Sequence, residues 1–204
     1  MHQVQRIGIF GGAFDPPHRA HRAVAQAALS QLDLDELRIV PTGKAWHKAR
    51  ALTDATHRLA MCRLAFGDID GVVIDTCEID RNTPSYSIET LEHIQAQRPN
   101  AQLVMIVGAD QLMAFYSWVR YEDILSIAQL AVAPRGQSQG VEPQLDLSGV
   151  DIDYTPLQIP LDAISATEIR QKSTTLADAN GPDSVHPEVA RYIAQHHLYS
   201  KSPT

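Results

Sequence analysis

The densest chemistry in the 204-residue sequence lies in Gly8-Ile9-Phe10-Gly11-Gly12-Ala13-Phe14-Asp15-Pro16-Pro17-His18-Arg19-Ala20-His21. An apolar run of strand length enters paired glycines and leaves them toward a helical pattern. Open α/β sheets bind ligands at such turns, outside the carboxyl ends of their strands. Gly11 and Gly12 let a ligand approach the backbone closely. Pro17 disfavours helix at Pro16, so the spacing predicts a helix from Pro17 with His18 in its first turn. His18 and His21, three apart, then share a face at the positive end of the helix dipole, where unpaired N–H groups point outward. That arrangement is a phosphate site with two adjustable hydrogen-bond donors.

A second segment, Ile164-Ser165-Ala166-Thr167-Glu168-Ile169-Arg170, carries a capping-box pattern in Ser165 and Glu168. A helix is therefore expected to begin there with its own unpaired N–H groups. Thr167 adds a hydroxyl and Arg170 a guanidinium one turn in, which suits a second phosphate contact. Other chemistries lose their support. A two-histidine metal site needs a third ligand, and Asp15 precedes the helix instead of sharing its face, so no metal ligand set is assigned. Neither G-x-G-x-x-G nor G-x-x-x-x-G-K-[ST] occurs in the first turn, which argues against hydride transfer and P-loop hydrolysis.

Both segments need a scaffold, and the hydrophobic pattern supplies one. Strand-length apolar runs fall at Arg6–Phe10, Leu37–Val40, Val72–Asp75, Leu103–Val107 and Leu130–Ala133, with a weaker one near Leu157–Ile159. Helical stripes lie between them: Ala20, Val24, Ala27, Ala28 and Leu32; His57, Leu59, Cys62, Ala65 and Phe66; Ile88, Leu91 and Ile94. This alternation predicts βαβ units and a Rossmann-like open parallel sheet with helices on both faces. Residues 136–149 read as a surface loop, and residues 165–199 as a small C-terminal helical part of a single domain. There His186-Pro187-Glu188 should open the last helix, with Pro187 at its first position and Val189, Tyr192 and Ile193 packing inward.

Composition narrows the class further. A chain of this size buries about 70% of the surface it would expose unfolded, so it needs neither disulfides nor a structural metal. Its 17 Lys and Arg against 24 Asp and Glu give a net charge of −7. That balance argues against a broad nucleic-acid surface while leaving room for a local basic pocket. Cys62 and Cys77 form no Cys-x-x-Cys pair and read as small core hydrophobes of a reducing compartment. No signal peptide or membrane span is recognisable, and a cytoplasmic location is expected. Self-association as a homo-oligomer is left open.

Together the two phosphate segments resemble the nucleotidyltransferases whose signatures are H-x-G-H after a glycine-rich turn and I-S-[ST]-T-x-x-R near the C-terminus. Further stretches are similar to bacterial nicotinate-mononucleotide adenylyltransferases. These are Pro41 to Lys48, Asp75 to Tyr86 with Thr83-Pro84-Ser85-Tyr86, Gly108-Ala109-Asp110, Trp118, Tyr121, Pro134-Arg135-Gly136, and the ending Pro187 to Tyr199. The resemblance covers nearly the whole chain in order. It implies attack of the 5′-phosphate of nicotinate mononucleotide on the α-phosphorus of ATP, giving the deamido dinucleotide and pyrophosphate, with Mg²⁺ carried on ATP.

The family's roles carry over position by position. His18, His21, Thr167 and Arg170 are implied to bind the triphosphate and act in catalysis. Gly11, Gly12, Ala13, Phe14, Gly108, Asp110, Arg135 and Ser165 are implied to contribute to the ATP site. Trp118 would stack on the pyridine ring, backbone amides at Thr83, Ser85 and Tyr86 would hold the nicotinate carboxylate, Lys48 would approach the mononucleotide phosphate, and Asp110 would bond ribose hydroxyls. Arg58 is expected to be structural. The helix dipole favours neutral histidines and a triphosphate favours the cation, so their protonation is expected to follow ATP binding.

Two positions depart from the pattern. Ala20 replaces the glycine of H-x-G-H, and Ala13 stands where the family usually has Ser or Thr. They leave open a nucleotide sensor that has lost turnover. Nicotinamide mononucleotide and phosphopantetheine remain alternative acceptors. A class I aminoacyl-tRNA synthetase fragment would need a lysine-rich signature that is absent.

Overall fold

The computed structural model describes residues 4–43, 52–81, 83–134, 147, 149–159 and 184–199. In chain order the elements are β1 (Arg6–Gly12), α1 (Arg19–Gln31), β2 (Glu36–Pro41), α2 (Ala55–Phe66), β3 (Val72–Ile74), α3 (Cys77–Asp80) and α4 (Ser87–Gln97). They continue with β4 (Gln102–Gly108), α5 (Ala109–Met113), a 3-10 turn (Phe115–Ser117), α6 (Tyr121–Ile127), β5 (Ala128–Ala133), β6 (Tyr154–Pro156) and α7 (Pro187–Gln195). The six strands form one sheet in the order β3-β2-β1-β4-β5-β6, every pair parallel. The direction of winding reverses between β1 and β4, which places the ligand-binding crevice at their carboxyl ends.

The period of two along each strand divides the core into two layers. Val104 and Ile106 of β4 and Ala131 and Ala133 of β5 join Leu37 and Ile39 against α1, α2 and α7. Their neighbours Leu103, Met105, Val107, Leu130 and Val132 pack with Ile7 and Ile9 against α4, α5 and α6. Both faces are thus covered, as a parallel sheet requires. Gly8 fits closely here: a Cβ would lie 2.5 Å from a Leu34 methyl and 2.8 Å from a Leu37 methyl, so both side chains would have to shift.

Of the helical stripes, Ile88, Leu91 and Ile94 are all buried in α4. In α2 the stripe moves slightly, to Arg58, Met61, Cys62, Ala65 and Phe66, and His57 instead sits half-buried with Nδ1 3.0 Å from the Tyr192 hydroxyl. α7 starts with Pro187 at its first position and buries Val189 and Ile193. The last strand is three residues earlier than the apolar run suggests. The ladder uses Tyr154–Pro156, and buried Leu157 follows it, its N–H bonded to the Val132 carbonyl at 2.9 Å. Apolar character there marks the residue that plugs the core, whereas edge pairing depends on backbone groups alone. No helix among the described residues is long and apolar enough to cross a membrane.

Candidate active site

The turn after β1 is held from beneath. Phe14 takes a left-handed backbone (φ 45°), and its buried ring meets Phe10, Phe66 and His21 edge-on at centroid distances of 5.5, 5.6 and 5.0 Å. Phe14 therefore offers a ligand only its backbone. Asp15 follows, 2% exposed, accepting from the Tyr199 hydroxyl at 2.6 Å and the Thr53 N–H at 3.2 Å. Arg58, 1% exposed, donates to the carbonyls of Ala13 (2.9 Å) and Thr53 (2.8 Å), and its charge lies near that of Asp15. This is the structural role expected of Arg58. Buried ions persist where each is paired and hydrogen-bonded, and here every partner also fixes the turn.

α1 begins at Arg19, two residues later than Pro17, and His18 is its N-cap in extended conformation (φ −141°, ψ 175°). The cause is a local bond: the His18 N–H donates to Nδ1 of His21 at 3.2 Å, the reverse half of a capping box. Because Nδ1 of His21 accepts, the neutral ring carries its proton on Nε2 as a donor. The two imidazoles stack at 3.7 Å. His18 is buried, its Nδ1 has no hydrogen-bond partner among the described residues, and burial lowers its pKa from 6.5 to about 4. Stacked so closely, both rings cannot readily be cations at once. The Arg19 N–H is already taken by the Ser184 carbonyl at 2.9 Å, which leaves one fewer first-turn donor for an anion than a bare helix start would offer.

The sign of the pH effect follows from this burial. The unfolded chain binds a proton at His18 between about pH 6.5 and 4 that the folded chain refuses, so stability is full above that window and falls as pH drops through it. Thermal melts across the window should show a steeper loss for the wild type than for His18→Asn. Equal slopes would refute the assignment.

At the switch point a cavity of about 410 Å³ opens between the carboxyl ends of β1 and β4. Gly11, Gly12 and Ala13 form one wall, and Ser85, Tyr86, Asp110 and Trp118 lie across from it. Residues nearly a hundred positions apart in sequence are thereby brought together. A Cβ on Gly11 would come no nearer to any other group than 4.0 Å, so this strand end faces open space. Asp110 opens α5, and the Gly108 N–H is satisfied by the Gln111 side chain at 3.0 Å. Trp118 is half-buried, one part packed on Phe115 at 5.1 Å and another lining the cavity. It is a core aromatic and a pocket wall at once.

Not every expected site residue lines this cavity. His18 and His21 stand beyond Ala13 at the start of α1, Gly108 ends β4 behind Asp110, and Thr83 is exposed outside the lining. Lys48, Arg135, Ser165, Thr167 and Arg170 lie outside the described residues. The structure adds Glu78, a buried carboxylate in the wall, which accepts from Thr90 Oγ1 at 2.9 Å. Burial pushes its pKa up, while bonds from Thr90, Ser85 and Gly43 offset part of that rise. Gly43 is forced, because a Cβ would fall 2.0 Å from the Glu78 carbonyl oxygen. Sequence spacing holds no signal for Glu78, since an acid in a polar stretch ordinarily reads as solvated. Among the described residues no group of three or more His, Cys, Asp or Glu could hold a metal ion.

Known proteins bear on this geometry. The cytidylyltransferase-like family model matches residues 9–172. A protein of Albidiferax ferrireducens, named as a probable nicotinate-nucleotide adenylyltransferase, is 47% identical over 96% of this chain and 98% of its own length. One of the same name from Neisseria meningitidis serogroup B is 35% identical over 97% of this chain and 100% of its own. The structure of Plasmodium falciparum nicotinic acid mononucleotide adenylyltransferase complexed with NaAD has the same fold, with a TM-score of 0.77 at 22% identity over 96% of this chain and 97% of that one. With a family match across most of its length and full-length relatives at this level of identity, the chain belongs to the cytidylyltransferase-like family and, within it, to the nicotinate-nucleotide adenylyltransferases.

Proposed function

We propose that this chain transfers the adenylyl group of ATP to nicotinate mononucleotide, releasing pyrophosphate and forming nicotinate adenine dinucleotide as a step of NAD biosynthesis. The observation that carries the reading is the cavity at the β1/β4 switch point, where the glycine turn before His18 faces Ser85, Tyr86 and Trp118. Such a transfer asks the protein mainly to align two reactants and to offset the charge that moves onto the leaving group. A phosphate oxygen of the mononucleotide attacks the α-phosphorus in line, the bond from that phosphorus to the oxygen bridging the α and β phosphates breaks, and the electron pair leaves with pyrophosphate. No covalent intermediate with the protein is needed.

His21, proton on Nε2, and His18 are assigned to the triphosphate. The charge that a triphosphate adds favours a proton on one ring of the stacked pair, which would appear as a change in ring-proton NMR shifts on adding ATP. Thr167, Arg170, Ser165 and Arg135 are assigned to ATP, and Lys48 to the mononucleotide phosphate, by their match to the family pattern. Mg²⁺ belongs to the substrate as MgATP. That form suits the cavity wall, where Glu78 is occupied by donors from Thr90, Ser85 and Gly43. Two free cysteines, one buried and one half-buried, fit work in the reducing cytoplasm.

Ring stacking on Trp118 leads to a further expectation. Trp118→Ala should raise the KM for nicotinate mononucleotide roughly tenfold, in line with about 1.5 kcal/mol for an aromatic pair, and leave the KM for ATP within about twofold. Equal effects on both substrates would remove Trp118 from the pyridine site.

The whole reading is tested by mixing the protein with MgATP and offering nicotinate mononucleotide, nicotinamide mononucleotide and phosphopantetheine in separate reactions. Pyrophosphate release is expected with the first and far less with the others. Preference for either of the others would reassign the acceptor. ATP binding without release in any reaction would point to a sensor, the reading that Ala13 and Ala20 leave open.

A further inference from the structure

Resting on the adenylyl-transfer reading, we propose that Tyr199, just beyond α7, is a positioning residue for the ATP half of the site, acting through Asp15 on the turn after β1. Tyr199 does not line the cavity. Its hydroxyl instead donates at 2.6 Å to Oδ1 of a carboxylate that is 2% exposed. The other oxygen of Asp15 accepts from the Thr53 N–H at 3.2 Å, so the tyrosine supplies the shorter of these two bonds.

The chain of contacts leads directly to the pocket wall. Asp15 accepts from the Thr53 N–H, Arg58 donates to the Thr53 carbonyl, and Arg58 also donates to the carbonyl of Ala13, which lines the cavity. Orientation of the carboxylate thus sets the guanidinium, and the guanidinium sets the backbone that faces the ligand. Tyr199 reaches this position at φ 64° and His197 at φ 51°, both left-handed conformations that non-glycine residues hold only when surrounding structure imposes them. The imposing structure is visible: the Leu198 N–H bonds to the Ile193 carbonyl at 3.1 Å, and Leu198 packs on the layer that contains Phe14 and Phe66. A separate bond ties Arg19, the first residue of α1, to Ser184 ahead of α7. The segment around α7 therefore grips the turn at both of its ends.

The pyridine side of the site is built differently. Trp118 and Tyr86 pack on the opposite layer of the core. Loss of the tyrosine hydroxyl should consequently disturb ATP and spare the mononucleotide.

The experiment compares the wild type with Tyr199→Phe and Leu198→Ala. The second variant loosens the same segment without touching Asp15. In Tyr199→Phe the KM and the calorimetric Kd for ATP should rise about tenfold, the factor expected for one charge-assisted hydrogen bond. The KM for nicotinate mononucleotide should stay within about twofold, and both variants should remain folded by thermal melting. Should Tyr199→Phe match the wild type in ATP affinity, or shift both substrates equally, or do no more than Leu198→Ala, positioning by Tyr199 is overturned. The calorimetric arm needs no turnover. A wild type that binds ATP but never releases pyrophosphate overturns the adenylyl-transfer reading and leaves the role of Tyr199 still decided by ATP affinity.

Discussion

His18→Ala is expected to lower kcat for pyrophosphate release by about two to three orders of magnitude, the loss typical of removing one preorganised donor from developing charge. His18 holds its ring in place without a competing bond among the described residues, since its Nδ1 has no partner there and its ring is stacked on His21 at 3.7 Å. Such a ring need not reorganise before it meets a phosphate. Stability should respond far less than activity. The bond that starts α1 uses the backbone N–H of residue 18, which alanine retains, and the deleted side chain carries an unsatisfied buried nitrogen. Steady-state kinetics beside a thermal melt checks both halves of this expectation. A loss of less than about tenfold in kcat would exclude His18 from charge stabilisation.

Arg58→Ala is expected to cost about 3–5 kcal/mol of folding stability, because it leaves the Asp15 carboxylate buried without its nearby cation. Against a typical total of about 5–15 kcal/mol, that brings the chain close to unfolding at ordinary temperature. Two backbone carbonyls, Ala13 and Thr53, lose their donor in the same change. Lysine should rescue little, since a single ammonium lacks the planar fork that spans both carbonyls. Adding Asp15→Asn to Arg58→Ala should recover part of the loss, because the stranded charge is gone, so the pair should be clearly non-additive. Urea unfolding of the wild type, Arg58→Ala, Arg58→Lys, Asp15→Asn and the double variant measures this. A loss below about 1 kcal/mol for Arg58→Ala, or strict additivity, would mean that the carboxylate and guanidinium do not support each other.

The strands were legible because a parallel sheet covered on both faces needs unbroken apolar runs, and Leu103–Val107 and Leu130–Ala133 are such runs. The turn after β1 was legible for a similar reason, since paired glycines and Pro17 act locally. Helix α1 nevertheless begins two residues later than Pro17 suggests. A side chain of its own first turn, His21, bonds back to the His18 N–H, and no propensity scale contains that bond. Edge strand β6 was misplaced by three residues because burial and pairing fall on different residues there.

Local signals in the chain are enough to specify the parallel α/β fold and the glycine turn after β1 that leads into a helix. Each depends on neighbours within one or two turns. Tertiary structure alone decides that Ser85, Tyr86 and Trp118 share a cavity with Gly11 and Ala13, because only the reversal of strand order between β1 and β4 brings their loops to one edge of the sheet. It also decides that burial lowers the pKa of His18 and that Asp15 is held by Tyr199, 184 positions away. Protonation and pairing of buried groups depend on what surrounds them in space, and sequence separation carries almost no information about that.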